Sequence, residues 1–172
     1  KKIQKLNGEE GVKLLEHNIE LYYKYKDNMK NLYEGIYTSI HQAYWDDLKI
    51  KLSNLPPDYT VIIPLLKDVK ELLIQCIPSR IDLKSEIDEI IDLEYITQMV
   101  NDEVIDDKFV SNMLEYIISY VKNFQSRSED EDTENLLEET KGVFKKLTIL
   151  GNDIEKRINV YAEYFPAFFK RI

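Results

Sequence analysis

Cysteine, glycine, proline, histidine and tryptophan are all scarce in this chain, and each scarcity removes a class of function. Cys76 is the sole cysteine, so no internal disulfide can form and no thiolate cluster is present to hold zinc. The five glycines are scattered, and none builds a loop whose backbone N–H groups could converge on a phosphate. His17 and His41 stand apart, without cysteine or carboxylate in a ligand pattern. The acidic stretch DEVIDD at 102–107 lacks the glycine and the alternating oxygens of a calcium loop. No apolar run approaches the ~20 residues that a membrane helix requires, and KKIQKLNGEE lacks the apolar stretch of a secretion signal. Basic residues are outnumbered, 23 against 32 acidic, for a net charge of −9. Phosphate backbones and anionic lipid repel such a chain, whose largest basic group is Lys1, Lys2 and Lys5. The expectation is a cytoplasmic, reducing home with no cofactor, metal, nucleic-acid partner or membrane insertion.

What the chain has in quantity is apolar residues at helical spacing. Val12, Leu15, Ile19, Tyr22, Met29, Tyr33, Ile36, Ile40 and Tyr44 step by three, four or seven, a stripe expected to be buried on one or two long helices. Gly35 is expected to bend or break that element. Trp45, Leu48 and Leu52 continue the stripe. Pro56 and Pro57 then stop the helix, because neither has an N–H to give and each pushes its predecessor out of the α region. Asp58 or Thr60 can cap the next helix, with Pro64 in its first turn. That helix carries Leu65, Leu66, Val69, Leu72, Leu73, Cys76 and Ile77, with Cys76 read as a buried small hydrophobe. Pro78 ends it. Ser85 is expected to cap a short helix with Ile87, Ile90 and Ile91, and Asp106 or Asp107 to cap another running through Phe124. Gln125–Asn135, QSRSEDEDTEN, reads as a solvated acidic loop or a frayed helix start, the first place for a protease to cut. Leu136, Val143, Leu147, Leu150, Ile154, Ile158, Tyr161 and Phe165 then mark a long C-terminal helix over 136–165, spaced near 3.5, with Gly151 a candidate interruption and Pro166 its expected end. Sustained period-two alternation is missing throughout. The fold class is therefore all-α: a multi-helix bundle without a sheet, one domain over 1–172.

Candidate chemistry is thin. Glu86, Asp88, Glu89, Asp92 and Glu94 are close in sequence and could pair for acid–base work or hold a metal, but most fall opposite Ile87, Ile90 and Ile91, where a solvated helix face is the simpler reading. Ser128 is followed by four acids, the context favoured by acid-directed kinases, and is a candidate phosphorylation site. Trp45, the only tryptophan, lies just before the Pro-Pro corner Pro56, Pro57, Asp58, Tyr59. Trp45 is expected to be buried; the corner is a structural feature and a candidate interaction site.

The segment 43–121 resembles the t-complex protein 11 family. The resemblance rests on Trp45, Asp46 and Leu48 at a helix end, the PPDY corner at 56–59, and Leu65, Leu66 and Lys67 opening the next helix. It continues with Pro78 and Arg80 in a turn, Glu86, Ile87 and Glu89 in an acidic segment, and Asp106 introducing a helix. The family's Cys-Ala-Pro-x-Arg-Asp-Glu segment is represented only by the arginine and acids of NFQSRSED at 123–130, so the chain reads as a divergent or short member, or an N-terminal fragment. The resemblance implies a helical protein without established enzymatic activity, associated with cyclic-AMP and protein kinase A signalling. The leading expectation is a non-catalytic interaction module with protein partners. The alternatives are a carboxylate-based, metal-dependent enzyme or regulator, and a scaffold that oligomerises through 136–165.

Overall fold

The computed structural model describes residues 2–172, with the side chains of 2–7, 9, 10 and 127 outside the description. The basic end at Lys1, Lys2 and Lys5 therefore lies outside the described residues. Helices make up the fold, and no strand occurs among the described residues: α1 (Lys2–Ser53), α2 (Ile62–Cys76), α3 (Ile81–Ile90), α4 (Leu93–Asn101), α5 (Asp107–Phe124), α6 (Asp130–Leu150) and α7 (Ile154–Arg171). The expected all-α, multi-helix class is what the chain adopts. The chain divides into two compact units, Lys1–Trp45 and Asp46–Ile172.

The first unit is the greater part of α1, which is kinked at Gly8 (φ 65°, ψ −163°) and helical on either side of it. Gly35 does not bend it; a Cβ there would meet nothing within 4 Å, so the glycine sits on an open face of continuous helix. The expectation of a buried stripe is wrong here. Ile19 is 46% exposed, Tyr33 70% and Ile40 66%, because no second layer covers this helix within its unit. Near its end, Tyr37 stacks on His41 and the Trp45 indole N–H donates to the same imidazole at 3.3 Å. Trp45 itself is 7% exposed.

The second unit holds a continuous core. Helix α2 buries Ile62, Leu66, Val69 and Leu73, one face at helical spacing. Leu72 and Cys76, expected on that face, are exposed: the buried row steps 62, 66, 69, 73 and leaves its neighbours outside. Pro64 does fall in the first turn of α2, where its missing N–H costs no helical bond. Helix α3 starts at Ile81 with Arg80 at its cap position, so Ser85 lies inside it rather than capping it. Asp92 caps α4 by accepting from the N–H groups of Glu94 and Tyr95, and Asp106 caps α5 through Lys108 and Phe109. Helix α5 is the central element, burying Val110, Met113, Leu114, Ile117, Ile118 and Tyr120 against α2 and α6.

Of the two readings of the acidic stretch, the helix start is the one adopted, in place of a loop over 125–135. Helix α6 begins at Asp130, and Asp130, Glu131 and Asp132 form its first turn, where negative charge complements the exposed N–H groups. Gln125 ties the entry down: its amide donates to Asp130 and its oxygen accepts from Thr133. The single C-terminal helix expected over 136–165 is two helices, broken at Gly151–Asp153, with Asp153 capping α7 through the Lys156 N–H. Pro166 does not end α7, which runs on to Arg171. A proline inside a helix costs about 3 kcal/mol, and burial of Phe165, Phe168 and Phe169 offsets it at roughly 2 kcal/mol or more for each ring. Of the 136–165 stripe, Leu136, Leu147, Ile158, Tyr161 and Phe165 are buried in this unit, Val143 and Leu150 are half-buried, and Ile154 is exposed. A buried hydrogen bond of 2.6 Å between Tyr164 and Thr140 joins α6 to α7.

Candidate functional site

The Pro-Pro corner opens onto a cleft of about 1160 Å³ in the second unit. Three connections converge there: the corner after α1, the turn between α4 and α5, and the turn between α6 and α7. Each has a local cause. After the helix stops at Ser53, the Leu55–Pro56 peptide is cis, and Asp58 caps a 3-10 turn at Tyr59–Val61 by accepting from the Thr60 N–H and hydroxyl. After α4 the chain reverses in a Schellman turn: the Val104 N–H reaches the Met99 carbonyl at 3.0 Å and the Glu103 N–H the Val100 carbonyl at 3.2 Å. Such a turn needs a left-handed residue, usually glycine; here it is Glu103, at φ 56°. After α6 the turn is made differently, by Gly151 at the C-cap itself, at φ 55° and ψ −122°, its N–H reaching the Thr148 carbonyl.

The floor of the cleft is a closed polar network. Arg157 of α7 donates through Nη2 to both carboxylate oxygens of Asp107, the first residue of α5, and through Nη1 to the Leu147 and Gly151 carbonyls at the end of α6. The Tyr161 hydroxyl also donates to Asp107. The Tyr59 ring meets Tyr161 edge-on, with centroids 5.9 Å apart, and Tyr161 stacks on Phe165. Burial pushes the Tyr59 phenol up to about 12; the Arg157 charge pulls it down and the Asp107 charge adds to the rise. Burial, then the hydrogen bond to Asp107, raises Tyr161 as well. Burial, the largest influence, would lower Arg157; the hydrogen bond to Asp107 together with the charges of Tyr161, Asp107 and Tyr59 outweighs it, and the guanidinium is raised.

The rim differs from the floor. Leu55, Val104 and Ile154, one from each connection, line the cleft while 72%, 63% and 67% exposed. The Glu103 side chain stands among them, outside every hydrogen bond and ion pair of the described residues. The arrangement is an apolar, open surface with one uncommitted carboxylate above the hydrogen-bonded Asp107, Arg157 and Tyr161 side chains. Chemically it can bind an apolar group beside a cation.

Of the residues singled out in the sequence, Pro56, Pro57, Asp58 and Tyr59 line this cleft; Trp45 belongs to the first unit and is not among its lining. Ser128 is exposed in the 3-10 turn Arg127–Glu129, its hydroxyl 2.6 Å from that of Ser126. Two of the clustered carboxylates have structural tasks: Asp88 pairs with Lys70 at 2.8 Å, and Asp92 caps α4. Among the described residues no group of three or more His, Cys, Asp or Glu side chains is placed to hold a metal ion, and no helix is long and apolar enough to cross a membrane. Sequence reasoning missed Glu103, Asp107, Arg157 and Tyr161. Asp107 had drawn notice only as a helix cap, and nothing local ties it to an arginine 50 positions on.

Comparison with known proteins bears on the same segments. The sequence model of T-complex protein 11 matches residues 15–165. The human T-complex protein 11 homolog is 32% identical over 90 residues, covering 49% of this chain and 18% of the relative. The human T-complex protein 11-like X-linked protein 1 is 35% identical over 86 residues, covering 49% of this chain and 17% of the relative. Mouse T-complex protein 11 is 32% identical over 94 residues, covering 54% and 16%. The matched region is thus under a fifth of these relatives' length. No solved structure matches the chain. A match running from within α1 to within α7 takes in the corner, the Schellman turn and the Asp107–Arg157 network together, and the chain belongs to the T-complex protein 11 family.

Proposed function

We propose that the chain is a non-catalytic helical interaction module, and that the cleft at the Pro56-Pro57 corner docks a protein segment bearing an apolar residue beside a lysine or arginine. The observation that supports this most is Glu103. A non-glycine residue in the left-handed region costs about 1–2 kcal/mol, and such strain concentrates where a side chain serves binding. Its carboxylate is uncommitted and ringed by exposed aliphatic side chains, the composition of a small docking surface. The chain's net charge of −9 favours a basic partner over an acidic one. The association of the family with cyclic-AMP and protein kinase A signalling directs the search for the partner to that pathway, a finer assignment resting on family membership alone. The reading places the chain in the reducing cytoplasm, where the exposed Cys76 thiol stays free.

Peptide arrays that pair basic and aliphatic residues test it. Wild-type protein should bind a subset in a salt-sensitive manner, and Glu103→Lys and Ile154→Asp should each lose that subset. Retention by both variants, or preference for acidic peptides, would sink the proposal.

A further inference from the structure

The first unit carries a surface that the cleft does not explain. Between Leu14 and Tyr44, 14 large apolar side chains of α1 are exposed, six of them tyrosines. Singly exposed apolar residues are ordinary, but a continuous run of this size on a water-facing helix marks an interface.

Their order is specific. Leu15, Tyr22, Met29 and Ile36 recur at intervals of seven, and Ile19, Tyr33 and Ile40 fall on a second heptad row. The two rows alternate by four and three, the a/d seam of a coiled coil. Lys26 occupies the one polar position of the second row. A straight helix drifts about 20° per heptad against a strict seven-residue repeat. A seam that holds its register from Leu15 to Ile40 therefore fits another supercoiled helix better than a flat surface or an extended peptide.

The described helices differ in what they can offer. Helices α2 to α7 run from 9 to 21 residues and bury their apolar faces within Asp46–Ile172. Among the described helices only α1, unbroken from beyond Gly8 to Ser53, runs the full length of the seam, so a second copy of it can pair with the seam from end to end. Charge agrees. Although the chain is strongly acidic, residues 11–45 carry Lys13, Lys24, Lys26 and Lys30 against Glu16, Glu20, Asp27 and Glu34, a neutral segment that approaches a copy of itself without net repulsion. Area agrees as well. The seven apolar seam residues are 36–70% exposed, two of them tyrosines that each offer roughly 150–250 Å² when wholly buried; with their flanking positions they approach the ~800 Å² per partner of a stable interface. We infer that the Leu15–Ile40 seam is a two-stranded coiled-coil interface with α1 of a second copy of this chain.

Sedimentation equilibrium of the full chain over a concentration series tests it. The expected result is a monomer–dimer equilibrium that Met29→Glu and Ile36→Glu each abolish. Leu14→Glu and Leu21→Glu remove exposed apolar surface off the seam and should leave the dimer intact. Lys26→Ile replaces the polar seam residue and should tighten dissociation by about tenfold or more, a gain that no folding defect can imitate. A monomer at every concentration, equal loss on and off the seam, no tightening by Lys26→Ile, or assembly beyond two copies would each overturn the inference.

Discussion

Arg157 holds Asp107 with two hydrogen bonds from a single nitrogen, 2.6 and 2.8 Å, across 50 positions of sequence. The two side chains are 19% and 26% exposed, shielded enough for the pair to matter. Removing one partner leaves the other partly desolvated and uncompensated. Asp107→Ala should therefore cost roughly 2–4 kcal/mol by urea unfolding, below the full cost of breaking a buried pair because some solvent remains. Asp107→Ala combined with Arg157→Met should recover part of that loss, and strict additivity of the two would mean that they do not interact.

Two glycines on one helix should respond in opposite directions. Gly142 lies inside α6 with nothing within 4 Å of a built Cβ, so Gly142→Ala should stabilise by about 0.5–1 kcal/mol. Gly151 ends the same helix at φ 55°, where an alanine is strained although space is open; Gly151→Ala should destabilise by about 1–2 kcal/mol. Thermal unfolding of both variants decides the matter, and shifts of the same sign would contradict it.

Glu103 offers a trade between stability and binding. Glu103→Gly relieves the left-handed penalty at some cost in chain entropy, for a net gain of about 0.5–1 kcal/mol. The same change removes the rim carboxylate and should weaken peptide binding. A variant that is no more stable than the parent would show that the turn holds glutamate without strain.

Alkaline pH should destabilise the chain in part through Tyr59 and in part through Tyr116, Tyr120, Tyr161 and Tyr164, whose phenols burial also raises. The Tyr59 phenol is raised to about 12 in the fold, against 10 for a free side chain. The stabilisation is therefore complete below about 10 and is lost as pH rises from there through about 12, because the unfolded chain releases its proton first. Tyr59→Phe should flatten this dependence in urea titrations above about 10; an unchanged slope would place Tyr59 outside the effect. Ultraviolet titration should show one fewer late-ionising tyrosine in the variant.

Much of this architecture was legible in the residues. Apolar spacing located α2 and α5 closely and the apolar faces of α3 and α4, Asp58 and Asp106 were readable as caps, and Pro56 and Pro57 as a stop. The errors have separate causes. The stripe on α1 is genuine amphipathic pattern, but a pattern reports that a face needs cover, not that the same chain supplies it. Charge density left the acidic run at 130–132 open between loop and helix start, and those charges sit where a helix start favours them. Pro166 was overruled by the aromatic rings on either side of it. The cleft itself was half visible: the corner carries a local signature, whereas Asp107 and Arg157 become partners only through the tertiary fold.

The network beneath the cleft also bears on how the chain assembles. Most of the packing in the second unit joins helices that follow one another, α5 on α6 and α6 on α7, contacts that close short loops and form quickly. Tyr59 and Tyr161 meet across roughly a hundred residues, a closure that must wait for the helices between them. During synthesis the Pro-Pro corner emerges long before α7, so the cleft is completed last. A chain interrupted before Arg157 would hold most of its local helix pairs and still lack the floor on which a partner would rest.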